Sequence, residues 1–417
     1  MAYAKPNPVV IATDALDQLV AYGREYGLTR LLIVADANTD AVLGIKLEKT
    51  LLAAGFDVRK VILHGAEIVA DAERVYQVMV ALDGTPRTLV AAGSGTITDI
   101  TRFVSHRMGL PFLSTPSAPS VDGFASVGAP MLLDGVKISL PTHAPAAIFA
   151  DLDVLSTAPR PMIAAGFADI LGKFTSVADF RLGALVRGER YDEMIAERTY
   201  AVAERCEASA DAIGHASPES IASLMDALVE SGLCILDFGD SASASGAEHH
   251  LSHFWEMLLL REGRPAILHG AKVGVATVMI AGLYAQVRAM SRAEASERLE
   301  GSALPDREEE LAAIRAAFGD EADAVARMHR AFLDMTPEEY DAIKRRILEH
   351  WEEIQAIAAQ VPLPGEIARL LTVAGGATTP AELGFTAEES ALAMDNGHYL
   401  RNRFTVRKLA RVLGIAQ

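Results

Sequence analysis

Three histidines crowd into one short stretch, Gly246-Ala247-Glu248-His249-His250-Leu251-Ser252-His253, and a fourth follows in His269-Gly270. These are four of the eleven histidines in a chain of 417 residues. Neutral imidazole is a nitrogen donor suited to Zn, Fe, Ni and Cu. His249 and His253 are four apart, so on a helix they share one face. A catalytic metal site with an open position uses three protein ligands, commonly including a carboxylate. Asp169, within Ala165-Gly166-Phe167-Ala168-Asp169-Ile170-Leu171-Gly172-Lys173, supplies one. It is a charge in an apolar, small-residue helical pattern, where a lone carboxylate is costly unless paired or metal-bound. On these residues alone the histidines equally suit a solvated or packed helix face, because the spacing is not a tight signature such as His-Glu-x-x-His.

A second set of residues is suited to holding phosphates. An apolar β-branched run, residues 88–92, leads into Gly93-Ser94-Gly95-Thr96-Ile97-Thr98-Asp99. Glycines there allow a tight turn and close backbone approach. The helix that follows offers N–H groups and the positive end of its dipole to a phosphate. The same Gly-x-Gly also serves as a plain turn. Asp36 ends another strand-like run, Val34-Ala35-Asp36-Ala37-Asn38. It can accept hydrogen bonds from an adenosine ribose and repel a 2′-phosphate, or it can cap a helix. Next comes Ser114-Thr115-Pro116-Ser117-Ala118-Pro119-Ser120-Val121-Asp122-Gly123-Phe124-Ala125-Ser126. Its hydroxyls can hold a diphosphate or ribose and Asp122 can bind substrate hydroxyls, although Pro and Ser are also ordinary loop residues.

These residues need a scaffold, and the sequence shows one in two parts. Residues 31–35, 58–63, 88–92, 110–113 and 148–150 read as strands. Residues 46–54 and 70–82 between them read as helices. Such alternation predicts a mostly parallel sheet covered by helices. After Pro159-Arg160-Pro161 helical periodicity takes over. The chain therefore divides into residues 1–158, an α/β part, and 159–417, an all-α part. The charged, helix-prone residues 306–327 read as a solvated face.

Composition narrows the function. Half of the residues are hydrophobic, enough for sizeable cores. A net charge of −17 argues against nucleic acid or an anionic membrane as partner. It also requires a local positive pocket for any anionic substrate. The two cysteines, Cys206 and Cys234, form no disulfide framework and fit a reducing cytosol. The start of the chain has no basic region followed by an apolar core. The longest apolar run, residues 273–287, contains glycine and is shorter than a bilayer span. A soluble, cytoplasmic protein is expected.

Taken in order, the motifs are Gly-x-Gly-x-x-x-Asp, Ser-x-x-Ser-x-Asp-Gly-x-x-Ser, Ala-Gly-x-x-Asp-x-x-x-Lys, Ser-Gly-x-Glu-His-x-x-x-His and His-Gly. This series resembles the sn-glycerol-1-phosphate dehydrogenases. They belong to the superfamily of iron-containing alcohol dehydrogenases, glycerol dehydrogenases and 3-dehydroquinate synthases. Ser-Val-Asp-Gly-Phe stands where archaeal members tend to have Ser-His-Asp-Gly, which makes the bacterial branch the closer one. The resemblance runs from about Asp36 to the end of the chain, and residues 396–405 look like the family's C-terminal helix.

The resemblance implies a Rossmann-like domain followed by a helical one, in the dehydroquinate synthase-like fold. It implies NAD(P)-dependent, metal-dependent interconversion of dihydroxyacetone phosphate and sn-glycerol 1-phosphate, a step of phospholipid metabolism. A small-polyol dehydrogenase or a dehydroquinate synthase-like lyase is the alternative. Gly93, Ser94, Gly95, Thr96 and Ile97 would hold the cofactor diphosphate, and Asp36 the ribose. Ser117, Ser120 and Ser126 would line the nicotinamide side. Asp122 would bind substrate. Asp169, His249 and His269 would bind one divalent metal, zinc before iron or nickel, with Asp169 also touching substrate. His253 would act on substrate or relay a proton. NAD(H) would be preferred over NADP(H), and the protein would be a homodimer or larger homo-oligomer. Ser94 replaces a glycine common in the diphosphate loop. Residues 260–263 look like a small insertion between His253 and His269, which leaves His250 open as an alternative ligand to His249. Lys173, one turn after Asp169, would either offset a substrate phosphate or lie on the surface.

Overall fold

The computed structural model describes residues 5–65, 67–133 and 136–415. The chain divides into two compact units, Met1–Ile170 with Ala208–Asp240, and Leu171–Glu207 with Ser241–Gln417. This partition differs from the change of sequence character at 158/159, because residues 208–240 pack with the first unit.

In the first unit, six strands form a parallel sheet in the order β1-β8-β5-β4-β2-β3. They are β1 Val9–Ala12, β2 Arg30–Asp36, β3 Asp57–Leu63, β4 Thr88–Ala92, β5 Phe112–Thr115 and β8 Ala147–Asp151. The interiors of β2 and β4 are continuous apolar runs because both faces are covered. Leu31, Ile33, Ala35, Val90 and Ala92 join one core, and Leu32, Val34, Leu89 and Ala91 the other. No strand follows Asp151 among the described residues. Sequence patterning missed β1 and the antiparallel hairpin β6 Gly128–Leu133 and β7 Val136–Pro141. The sequence Asp134-Gly135 between alternating residues was the available signal for that hairpin.

Strand order locates the ligand edge. From β2 the chain runs to β3 on one side, then crosses to β4 on the other. The switch point therefore lies between β2 and β4, and open parallel sheets bind ligands at the carboxyl ends there. The register pairs Val34 with Ala91. Asp36 and Gly93 each lie two residues beyond that pair, side by side at the same edge.

The second unit is helical among the described residues. Its central polar tie is Asp179, which is buried in the helix Lys173–Arg187. Oδ2 accepts the Ala247 N–H at 2.7 Å; Oδ1 accepts the Tyr284 hydroxyl at 2.7 Å and the Val406 N–H at 2.6 Å. One carboxylate thus joins four separate stretches of chain. Burial, and then the charge of Glu248, push its pKa up to about 7. Residues 396–405 are not one helix. A short turn, Gly397–Leu400, leads to extended residues before the helix Val406–Val412. The physical reason is competition: the Phe404 and Val406 N–H groups donate to Glu189 and Asp179 instead of to carbonyls four residues back. The charged stretch after Asp306 is helical as expected, but breaks at Gly319, whose φ is 54°. Its helix also buries Ile314, Ala317 and Phe318, so it is not simply a solvated face. The helix His269–Ala289 extends beyond the apolar run 273–287. By length and composition it is the one described helix able to cross a membrane, but 67% of its apolar window is buried inside the protein. Cys206 and Cys234 are buried and form no disulfide.

Candidate functional site

The carboxyl edge of the sheet is built by β4, β5 and the loops that leave them. The Gly93 N–H donates to the Thr115 carbonyl at 3.1 Å. A Cβ on Gly93 would stand 2.6 Å from Cβ of Ile97, so the turn into the helix Gly95–Met108 needs glycine. Ser94 stands at that helix's N-cap position and makes no capping bond with its side chain. Its hydroxyl instead meets the Ser120 hydroxyl. Ser94 therefore links the diphosphate-type loop to the serine-rich loop, and leaves the first turn of a fourteen-residue helix without a side-chain cap. Thr96 and Ile97 lie in that turn. Ser117, Ser120 and Ser126 are all buried in the serine-rich loop.

Arg102, on the same helix and fully buried, holds that loop from behind. Its guanidinium donates to the carbonyls of Gly123, Phe124 and Gly128 at 2.5, 3.0 and 2.8 Å and to Asp99 at 3.1 Å. Asp122 Oδ2 accepts the Ser231 hydroxyl at 2.8 Å. The Asp122 N–H donates to Asp169 Oδ2 at 3.1 Å. Asp36 Oδ1 accepts the N–H groups of Asn38 and Thr39, both at 2.8 Å. Asp36 is thus a helix cap, at the sheet edge where a ribose contact would also require it.

The histidines sit on two helices of the second unit. His249 and His253 lie on Ala247–Arg261, and His269 opens His269–Ala289. The rings of 249 and 269, 253 and 269, and 249 and 253 are 5.3, 5.7 and 6.1 Å apart. Glu248 Oε1 lies 2.7 Å from His249 Nδ1. A carboxylate there accepts, so Nδ1 carries the hydrogen and Nε2 keeps the lone pair a metal needs. The same Oε1 accepts the Gly246 N–H at 2.7 Å, and Oε2 the Thr175 hydroxyl at 2.8 Å. Burial pushes Glu248 up, yet the His249 bond and charge, with these donors, hold its pKa below the ordinary range.

Two donor groups result. The ligand atoms of Asp169, His249 and His269 lie within 4.8 Å of one another, and so do those of His253, Glu256 and His269. The first group is the trio expected from the sequence. Asp169 is fully buried near the end of the helix Arg160–Leu171. A buried aspartate facing two imidazoles, one oriented by its own carboxylate, suits a divalent zinc-like ion. His250 belongs to neither group. It is 1% exposed, and burial, aided by Arg403, Arg401 and Lys408, drives its pKa well down, which makes it a neutral core histidine. Lys173 is not on the surface. It is fully buried, and its Nζ donates to the Ala244 carbonyl at 3.1 Å.

Sequence reasoning gave no role to Glu248, Glu256, Arg102 or Ser231. Glu256 had a signal, because it follows His253 by three on one helix face. Arg102 and Ser231 act on residues distant in sequence, and Glu248 acts on its neighbour His249, which gives it no periodic pattern to read.

A parallel sheet with this edge, followed by a largely helical region, matches the fold of the iron-containing alcohol dehydrogenases. The family model for "Iron-containing alcohol dehydrogenase" matches residues 10–159. Glycerol dehydrogenase from Schizosaccharomyces pombe shares the fold, with a TM-score of 0.61, 16% identity, and 99% and 89% of the two chains covered. So does the NAD+ complex of sulfoacetaldehyde reductase from Bifidobacterium kashiwanohense, at 0.60 and 13%, covering 100% and 99%. In sequence the chain is 38% identical to glycerol-1-phosphate dehydrogenase [NAD(P)+] of Halalkalibacterium halodurans, over 95% of this chain and 90% of that one. It is 32% identical to the Pyrococcus furiosus enzyme of the same name, over 67% and 79%. The chain belongs to the glycerol-1-phosphate dehydrogenase family.

Proposed function

We propose that this protein is an NAD(P)-dependent oxidoreductase that interconverts dihydroxyacetone phosphate and sn-glycerol 1-phosphate. The observation that carries the reading is the convergence of Asp169, His249 and His269 in a chain 38% identical to a glycerol-1-phosphate dehydrogenase over nearly its whole length. Residues 1–158 would serve the dinucleotide and 159–417 the metal and substrate.

Asp169, His249 and His269 would hold one divalent ion, zinc in first place and iron or nickel otherwise. When bound, such an ion supplies Lewis acidity toward the ketone oxygen, and the nicotinamide supplies the hydride. The chain's own residues do the positioning. Glu248 fixes the tautomer and orientation of His249. Gly93, Ser94, Gly95, Thr96 and Ile97 present backbone N–H groups to the diphosphate. Ser117, Ser120 and Ser126 shape the nicotinamide side. Asp122, steadied by Ser231, accepts a substrate hydroxyl. His253 would hold and deliver a proton at the C2 oxygen. Asp36 accepts from the ribose and disfavours a 2′-phosphate, so NADH is the preferred reductant.

A cytoplasmic homo-oligomer is part of the same proposal. Tyr76, Met79 and Val80 are exposed together on the helix Ala72–Ala81, an apolar face that a second copy can cover. Sedimentation velocity measures it.

The test of the reaction is chiral product analysis after incubating zinc-loaded protein with dihydroxyacetone phosphate and NADH. sn-Glycerol 1-phosphate is expected. The sn-3 enantiomer, or no NADH consumption, overturns the reading.

A further inference from the structure

The second donor group has the same chemistry as the first: two imidazoles and one carboxylate. His253 and Glu256 are three apart on the helix Ala247–Arg261, and so on one face. His269 opens the next helix, and the three ligand atoms lie within 4.8 Å of one another. Neighbouring ligands of a tetrahedral zinc, bound at about 2.0–2.1 Å, stand about 3.4 Å apart. Small side-chain adjustments therefore close the group on an ion. The two groups differ in access. Asp169 and His249 are buried, whereas His253, Glu256 and His269 are each only partly covered. They also differ in competing charge. Lys272, one turn after His269, places its Nζ 3.8 Å from Glu256 Oε1 while donating to the Ile267 carbonyl at 3.1 Å. That ammonium opposes a cation on Glu256.

We propose that His253, Glu256 and His269 form a second, weaker station for a divalent zinc-class ion, more open to solvent than the Asp169–His249–His269 group. The two stations share His269, so they are alternative positions of one ion. An ion at the outer station also engages His253, which removes that imidazole from proton transfer. Ions arriving from solvent meet the outer station first.

The test is zinc binding to the full chain, measured by chelator competition with no turnover required. Asp169→Asn and His249→Ala each break the inner group and leave the outer one intact. Each is expected to retain one zinc per chain with weakened affinity. Adding Glu256→Gln to either should weaken that residual binding by at least about tenfold. His269→Ala should bind none at either station. Circular dichroism establishes that each variant is folded, and two separate inner lesions guard against one of them failing to fold. Folded single variants without zinc, or residual binding indifferent to Glu256→Gln, overturn the proposal. Failure of the dehydrogenase reading is seen separately, as absent product from zinc-loaded wild-type protein.

Discussion

Glu248→Gln tests whether the metal affinity of His249 is set from behind. The carboxylate serves three donors: Oε1 takes Gly246 N–H and His249 Nδ1–H, and Oε2 takes the Thr175 hydroxyl. Glutamine has nearly the same shape. With its amide oxygen at the Oε1 position it keeps both N–H partners. Its NH2 then faces the Thr175 hydroxyl, which can accept it while donating to the Gly172 carbonyl, 3.0 Å away. The fold therefore survives with a stability loss of about 1 kcal/mol. What disappears is the negative charge behind the imidazole, which raises the donor strength of Nε2. Losing such outer-shell partners lowers metal affinity by about 10–100-fold, or about 1.4–2.7 kcal/mol. Zinc affinity by chelator competition and a melting curve on the same preparation separate the two effects. Unchanged zinc affinity would refute the role given to Glu248. A collapse of the fold would show that it acts as a structural hub instead.

Four other outcomes follow from named contacts. His253→Ala should keep zinc at the inner group and lower kcat by about 10²–10⁴-fold; full kcat with zinc retained removes the relay role, and lost zinc means the wrong histidine was assigned to the inner group. Asp36→Ala should raise the NADPH/NADH ratio of kcat/KM, and an unchanged ratio leaves Asp36 as a helix cap alone. Asp179→Ala strands the Ala247 and Val406 N–H groups and the Tyr284 hydroxyl, at about 1–3 kcal/mol for each buried unpaired group, so its melting temperature should fall sharply. Because burial raises the folded pKa of Asp179 from 3.8 to about 7, the fold favours the protonated acid. That contribution is complete below about pH 4 and is lost as pH rises toward 7. Wild type should therefore lose more melting temperature between pH 5 and 8 than Asp179→Asn, and equal losses would contradict this.

The parallel strands were legible because burial on both faces leaves uninterrupted apolar runs, as in Leu31-Leu32-Ile33-Val34-Ala35. The turn after β4 was legible because Gly93 has no space for a side chain. The metal trio was assigned through the family resemblance, because residue chemistry alone did not choose among His249, His250 and His253. β1 escaped notice because four residues carry too little pattern. Residues 396–405 misled because their backbone donors are captured by Glu189 and Asp179, which lie more than two hundred positions away. For the same reason the sequence is silent about Arg102 and Asp179: an ordinary charged residue in a helix acquires its task only when distant partners arrive.

Gly166 and Gly232 press against the serine-rich loop. A Cβ on Gly166 would collide with the Pro119 carbonyl, and one on Gly232 would stand 2.6 Å from the Asp122 carbonyl oxygen. Gly232 and Ser231 belong to the helix Pro218–Phe238, which the chain reaches only after residues 171–207 have gone to the other unit. The first unit is therefore discontinuous along the chain. During synthesis, its substrate-side loop lacks the support of the helix Pro218–Phe238 until about residue 240 has emerged. A fragment cut at the apparent boundary near 158 would carry every cofactor motif and still lack the wall that shapes Asp122. Such a fragment would keep its dinucleotide motifs while presenting a slack, unmoulded loop to the substrate, so the substrate side of the chemistry matures later than the cofactor side.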